Sequence, residues 1–356
     1  MGFTQKNGAS ALGLKRILGL GSYKTAWLGV TLNSSPVYDV FGSDAVKFLN
    51  SVCVNRDFGN FPYGTSKHVL ICNDMGKMLA DGVMIKTEDD RFRTYCLAPV
   101  ISYYVMTSGM DVQGENISDE YFFQIDGPKS LEILEKACPC DLHDIKFAQN
   151  RKVKICGTDM VVNRLGMSGA LAYEVHGAAK DAEVAYTKIR EVLEEFGGKP
   201  QGFKNYPIIN HTPGGYPNQY QHFMYPWFSS GEGLAEFMKK AGWMKYPFKG
   251  SASDDDDNFY ATPYDFGWGY LVSFDHDFMG KDPLMEIAKN PPRKMVTLEW
   301  NAEDVGDVFM SQLRGRDVEP YENIESPAAH MEEPVMSGPI RGDYVLAEPR
   351  RFRVAC

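Results

Sequence analysis

From Pro36 onward, apolar residues recur at spacings that switch between strand-like and helix-like. Val37-Tyr38-Asp39-Val40 reads as a strand, and Ser43-Asp44 offers a helix cap ahead of the apolar positions Ala45, Val46, Phe48 and Leu49. His68-Val69-Leu70-Ile71-Cys72 and Gly82-Val83-Met84-Ile85-Lys86 are strand-like runs on either side of the turn Asn73-Asp74-Met75-Gly76-Lys77, and Arg91 to Leu97 continues the alternation. These segments predict a meander beside a helix. A second cycle opens at Tyr121-Phe122-Phe123-Gln124-Ile125, where Gly127-Pro128 breaks the strand and Leu131, Ile133 and Leu134 mark a short amphipathic helix. Strands at 152–156 and 159–164 follow, then a helix from Asp181 to Phe196 that Gly197-Gly198 closes. The repeated plan predicts an α+β fold built in layers rather than a helical bundle.

At 356 residues the chain is long enough for two or three packed units. Residues 1–35 carry Lys6, Lys15, Arg16 and Lys24 ahead of the first acid, Asp39, a composition shared by transit peptides and by altered or poorly ordered termini. We read them as an atypical N-terminal segment. Residues 36–290 then form the main α+β region of two interleaved units. Within it, Tyr206 to Tyr260 is rich in Pro, Gly, Tyr, Trp and Phe, as segments lining sites often are, although most of these rings individually serve to pack an extended connection. The run Asp254 to Asp257 lacks the alternating oxygen ligands and turn glycine of a calcium loop and reads as a solvated loop. Arg293 to Trp300 alternates as a strand and opens a last β-rich unit, 291–356, with too few strands after Gly342 to close a barrel.

Composition narrows the function classes. An apolar content of 44% supports real cores, and a formal charge of -10 with a pI near 5.3 argues against nucleic acid as a partner. No apolar run reaches the length of a membrane span. The seven cysteines are odd in number and scattered, which fits a reducing, cytoplasmic setting; Cys138-Pro139-Cys140 lacks a second pair at metal-ligand spacing and reads as structural, so no metal is expected. Nucleophile elbow, phosphate loop and paired metal-spaced histidines are all missing from the sequence.

Read in order, the pieces resemble the glycine-cleavage T-protein superfamily from Tyr38 to Trp300. DVFGSDAVKFLNSVCVNRD is similar to the family's opening strand, glycine and helix; HVLICNDMGKMLADGVMIK resembles its hairpin ending in an Asp-containing turn at Asp81; FFQIDGPKSLEILEKA looks like the helix start of its second cycle. NRLGMSGALAYEVHG resembles the tight glycine turn followed by an acid on a strand, and TPYDFGWGYLVSFDHDFMGKDPL the motif before the last domain. Through NYPIINHTPGGYP and Tyr206, which stands where amine-processing members carry arginine, the chain is most similar to tetrahydrofolate-dependent O-demethylases of methoxylated aromatic acids such as vanillate or syringate. The resemblance implies a multi-domain T-protein-like fold around a central cavity, closed here by an incomplete C-terminal β-barrel. It also implies tetrahydrofolate and a small-molecule methyl donor.

Candidate residues follow from that chemistry. A pterin presents adjacent ring N–H and amino donors, which one carboxylate can accept in parallel. The resemblance matches Glu174 to the family's pterin-binding glutamate; taken alone, Tyr173-Glu174-Val175 is equally one exposed acid on an alternating strand. Tyr173 is counted with it. Met167 either packs its thioether on the pterin or is an ordinary core methionine. A departing phenolate needs a donor, a role for the Tyr206 phenol, with Tyr216 in the same loop as a second aromatic wall or donor. Asp81 is either the family's acid near the pocket or a turn aspartate. Leu97 matches the position where those demethylases hold an arginine for a substrate carboxylate, and it is taken with Tyr95 as donor-side lining. Residues 1–35 also lack the Trp-rich and Asp-His-His segment of the demethylases. Three readings result: O-demethylation yielding methyltetrahydrofolate, a non-catalytic folate-binding relative, or an aminomethyltransferase.

Overall fold

The computed structural model describes residues 24–202, 210–211, 214–219, 223–245, 248–249, 259–294, 301–321, 340–341, 346–348 and 351–353. Two sheets organise the chain. The first contains β2 (Val37–Phe41), β3 (Ser66–Cys72), β4 (Met78–Glu88), β5 (Arg91–Tyr95) and β6 (Gln113–Ile117), in the order β3-β4-β5-β2-β6 and antiparallel throughout. The second contains β1 (Trp27–Gly29), β7 (Glu120–Asp126), β8 (Asn150–Ile155), β9 (Thr158–Asn163), β10 (Ala172–Ala178) and β11 (Lys199–Gln201), in the order β11-β1-β7-β10-β9-β8. The meander and the second cycle expected from the apolar spacing are both present, with ends within two residues of the predicted ones except for β4, which starts at Met78, four residues before the expected Gly82.

Each sheet buries one face under helices because its strands alternate. In the second sheet Leu28, Phe123, Ile125, Val162, Tyr173 and Val175 point into a core capped by α3 (Ser130–Ala137) and α4 (Ala182–Glu195), the latter through Ala185, Ile189, Val192 and Leu193. The first sheet packs α1 (Ala45–Val52) through Phe48 and Leu49 against Val69, Ile71 and Phe92. The opposite faces of the two sheets meet. There Ile85 and Tyr95 of the first sheet pack with Phe122 of the second, with Leu32 and Met167 completing the cluster. Backbone bonds from Ser66 N to Ala148 O and from Asn150 N to Gly64 O, both 2.8 Å, pin the edges, and Arg93 Nη1 reaches Glu120 Oε1 at 3.1 Å.

Three sequence expectations change. Residues 24–35, read as part of an atypical segment, contribute β1, which sits between β7 and parallel β11; three residues are too short to show a period. Val100–Thr107 is a helix that the apolar pattern did not reveal, since VISYYVMT is apolar on nearly every side while burying Val100, Ile101 and Val105. Glu232–Lys240 is a further helix inside the Tyr206 to Tyr260 stretch that reads as irregular and aromatic-rich, and Lys281–Lys289 is another beyond it. Most of the strand expected at 293–300 and the Asp254 to Asp257 run lie outside the described residues.

Candidate active site

Glu174 lies at the middle of β10, 3% exposed, on the face turned toward the first sheet. Register places one residue of every strand in a row with it: Gln201, Gly29, Gln124, Glu174, Asn163 and Asn150 are successive cross-strand partners. Because partners across a ladder share a face, these side chains form a polar stripe across the sheet. Asn163 Nδ2 lies 3.4 Å from Glu174 Oε2, and Asn163 Oδ1 accepts from Ser66 Oγ of the first sheet at 3.1 Å. Burial pushes the Glu174 carboxyl up to about 8, with the Asn163 amide opposing it, so the ligand-free side chain is largely protonated at neutral pH.

A second buried carboxyl shares this face. Asp126 lies one position beyond Gln124 on the same side of β7, accepts from Ser168 Oγ at 2.7 Å, and is raised to about 7 by burial. His176, two residues past Glu174, is wedged between Phe122 and Tyr95, its ring centroid 4.2 Å and 4.7 Å from theirs; burial lowers its imidazole to about 3 and keeps it neutral. Neither residue stood out in the sequence.

On the facing sheet, His68 and Asp81 are diagonal neighbours across the β3–β4 ladder. His68 Nε2 is 3.1 Å from Asp81 Oδ2, while the Tyr216 hydroxyl lies 2.9 Å from His68 Nε2 and 3.1 Å from Nδ1. With Nε2–H donating to Asp81, Nδ1 is left to accept from Tyr216. The Tyr225 hydroxyl donates to Asp81 Oδ1 and accepts from Asp81 N, fixing the carboxylate from the other side. Trp268, from the DFGWGY stretch, meets the His68 ring edge-on at 4.9 Å and lies 5.0 Å from the Tyr216 ring. Burial, and after it the Asp81 charge, hold the Tyr216 phenol well above its ordinary value, so it stays a donor.

The loop carrying Tyr216 is seated by a glycine. A Cβ on Gly214 would fall 2.0 Å from Met167 O, so only glycine lets this loop close on the Met167–Gly169 turn. Tyr216 N donates to His211 O at 3.0 Å and completes the loop.

The expected residues therefore divide. Glu174, Asp81, Tyr216, Met167 and Tyr95 converge on the space between the sheets, with the Tyr95 hydroxyl donating to Glu120 Oε2 at 3.0 Å. Tyr173 does not. Strand alternation turns it away from Glu174 into the second core, where it is 1% exposed. Leu97 is also corrected: Cys96 adopts φ 68, the strand ends, and Leu97 turns into the first core, fully buried. Tyr206 lies outside the described residues. Cys138 is buried in the second core; Glu135, Asp141 and His143, the group of potential ligands found among the described residues, are accounted for by the ion pair of His143 Nδ1 with Glu135 Oε1 at 2.7 Å.

A family model described as the GCVT N-terminal domain matches residues 32–209. The chain is also 46% identical over 313 residues to the sesamin methylene transferase of Sinomonas sp. (strain No.22), covering 86% of this chain and 69% of that protein. The chain belongs to this family, the glycine-cleavage T-protein family of tetrahydrofolate-dependent one-carbon transferases. The syringate O-demethylase of Sphingobium sp. (strain NBRC 103272 / SYK-6) is 28% identical over 290 residues, 76% of this chain and 62% of that one. An aminomethyltransferase of Thermotoga maritima is 24% identical over 272 residues, 75% and 65% of the two chains. The chain thus spans 62–69% of the length of these relatives. Among solved structures, aminomethyltransferase T of the Bartonella henselae glycine cleavage system superposes with a TM-score of 0.54 at 16% identity, covering 77% of this chain and 66% of that one, which supports the α+β T-protein fold. No described helix is long and apolar enough to cross a membrane.

Proposed function

We propose that this protein moves a one-carbon group from an aromatic ether to tetrahydrofolate, cleaving a carbon–oxygen bond and releasing a phenol. The observation that carries the reading is the convergence of a pterin-type carboxylate, Glu174, with the His68–Asp81–Tyr216 chain across one inter-sheet space. Glu174, on the polar stripe of the second sheet's inner face, would accept from the pterin N–H and amino groups of tetrahydrofolate. Tetrahydrofolate supplies the nucleophilic nitrogen.

What the chain's own residues do follows from their protonation. Tyr216, held protonated, donates to the oxygen on which charge develops as the carbon–oxygen bond breaks. His68 Nδ1 would take up the proton released as the carbon is transferred, Asp81 would balance the imidazolium so formed, and that proton would then pass from Nδ1 to the Tyr216 oxygen. For a methyl, the nitrogen that gains carbon gives up one proton and the aryl oxygen gains one; for a methylene, two carbon–oxygen bonds break, two nitrogens each give up a proton and both aryl oxygens gain one, so the balance closes in either case. Trp268, Met167 and Tyr95 exclude water from this path.

The sesamin methylene transferase and syringate O-demethylase names support an aromatic donor, and the higher identity to the first favours a methylene over a methyl as the carbon moved. Incubation of the protein with tetrahydrofolate and either a methylenedioxyphenyl or a methoxyphenyl donor distinguishes them by mass. The account expects a catechol with methylenetetrahydrofolate from the first. Methyltetrahydrofolate and a phenol from the second alone would return the reading to O-demethylation, and formation of neither would leave a folate-binding protein without this chemistry.

A further inference from the structure

The loop that carries Tyr216 rests on a turn held by the other sheet. Asp126, the last residue of β7, accepts from Ser168 Oγ at 2.7 Å, and Ser168 Oγ itself accepts from Ala170 N at 3.1 Å. A backbone N–H can only donate, so the hydroxyl proton is left for Asp126 Oδ1. Both side chains are buried, and neither can exchange its partner for water without opening the turn. The far end of the same turn is fixed as well: Gly127 N and Ser130 Oγ donate to Leu171 O at 2.8 Å and 3.0 Å.

Gly214 lies directly on this turn. A Cβ there would meet Met167 O at 2.0 Å, Ser168 C at 2.9 Å and Gly169 N at 3.1 Å, so backbone rests on backbone with no side chain to absorb a shift. Two residues on, the Tyr216 hydroxyl reaches the His68 ring at 2.9 Å. Proton transfer needs heavy atoms within roughly 2.6–3.2 Å, and a misplacement of about 1 Å costs up to about 10²-fold in rate. The mechanism above gives neither Asp126 nor Ser168 a part.

We propose that Asp126 and Ser168 are positioning residues for turnover: by fixing the Met167–Gly169 turn under Gly214, they set the Tyr216 hydroxyl against His68. The role in turnover rests on the donor role given to Tyr216. It also makes the end of a strand in the second sheet govern a proton path that runs along the first.

The test is a double-mutant cycle on the full chain with tetrahydrofolate and a methylenedioxyphenyl or methoxyphenyl donor. Ser168→Ala and Asp126→Ala should each lower kcat by about five- to twentyfold, with tetrahydrofolate affinity within about threefold. Asp126→Asn, which keeps an acceptor for Ser168, should recover most of the loss. In a Tyr216→Phe background Ser168→Ala should cost less than about twofold, because the hydroxyl it places is gone. A readout independent of activity is NMR of the histidine-labelled protein, with the His68 ring signals assigned by their loss in His68→Gln. In Ser168→Ala they should move toward their position in Tyr216→Phe. Full additivity with Tyr216→Phe, or equal losses of affinity and kcat, marks a merely structural pair and overturns the proposal. His68 signals that stay in place in Ser168→Ala overturn it whatever the activity. A natural protein that turns over neither donor, with His68 signals that move as expected, removes the function proposed above and leaves the placement of Tyr216 by this pair supported.

Discussion

The two inner faces that enclose the site are built in different ways. On the second sheet, ladder register alone assembles the stripe around Glu174, one residue per strand. On the first sheet, the chain of His68, Asp81, Tyr216 and Trp268 draws on two strands, a glycine-seated loop and a short turn far apart in sequence. Rigid strands suit recognition of a flat ring, whereas a loop-borne phenol set on a His68–Asp81 pair suits proton movement. The division teaches that binding and turnover should respond separately to substitution.

The largest expected effect tests the turnover side. Asp81→Asn or His68→Ala should lower kcat by about 10²- to 10⁴-fold, the span general acid–base groups contribute, while tetrahydrofolate affinity stays within about threefold. Steady-state kinetics with a parallel binding titration checks this, and a matched loss of affinity would erase the division. Tyr216→Phe keeps the ring against Trp268 but removes the donor; a kcat loss of about 10- to 100-fold is expected, greater for donors with poorer phenolate leaving groups. Equal losses for good and poor leaving groups would deny Tyr216 its donor role.

Stability of the ligand-free protein probes the binding side. Glu174 and Asp126 are raised to about 8 and about 7, so the folded state holds protons that the unfolded chain has released above its ordinary carboxylate range. Their contribution is full below about pH 4 and is lost as pH rises through 7 to 8. The Tm should fall by about 5 °C or more between pH 5 and pH 8.5, and Glu174→Gln should flatten the fall. The smallest effect is a contrast with a neighbour in sequence: Tyr173→Phe should leave tetrahydrofolate affinity within about twofold, since the phenol lies on the far side of β10.

Much of this was readable in the sequence, and unevenly. The apolar spacing revealed both sheets and the long helix because amphipathic strands and helices repeat their pattern over many residues. Glu174 stood out as a lone acid on an alternating strand inside a recognisable segment, whereas Asp81 was read in a turn and lies instead within β4. His68 was not, since on a β-branched strand it looks like a core residue until Asp81 and Tyr216 are brought to it by pairing and by the Gly214 turn. The amide stripe was invisible for the same reason: register across six strands is not written in any one of them. Tyr173 was chosen for its proximity in sequence to Glu174 and Leu97 for its matched family position; alternation in one case and the left-handed Cys96 in the other turn them into the two cores.

The central claim is that Glu174 must be ionised to hold the pterin. The most direct measurement is tetrahydrofolate affinity between pH 6 and pH 9 for the natural protein, Glu174→Gln and Asp126→Asn. Affinity of the natural protein should rise about tenfold per pH unit up to the Glu174 value of about 8 and then level, with one proton released on binding at pH 7. Asp126→Asn should keep that slope, and Glu174→Gln should bind more weakly at every pH with no slope. A natural protein whose affinity is flat across this range, or a Glu174→Gln protein that retains the slope, would contradict the account.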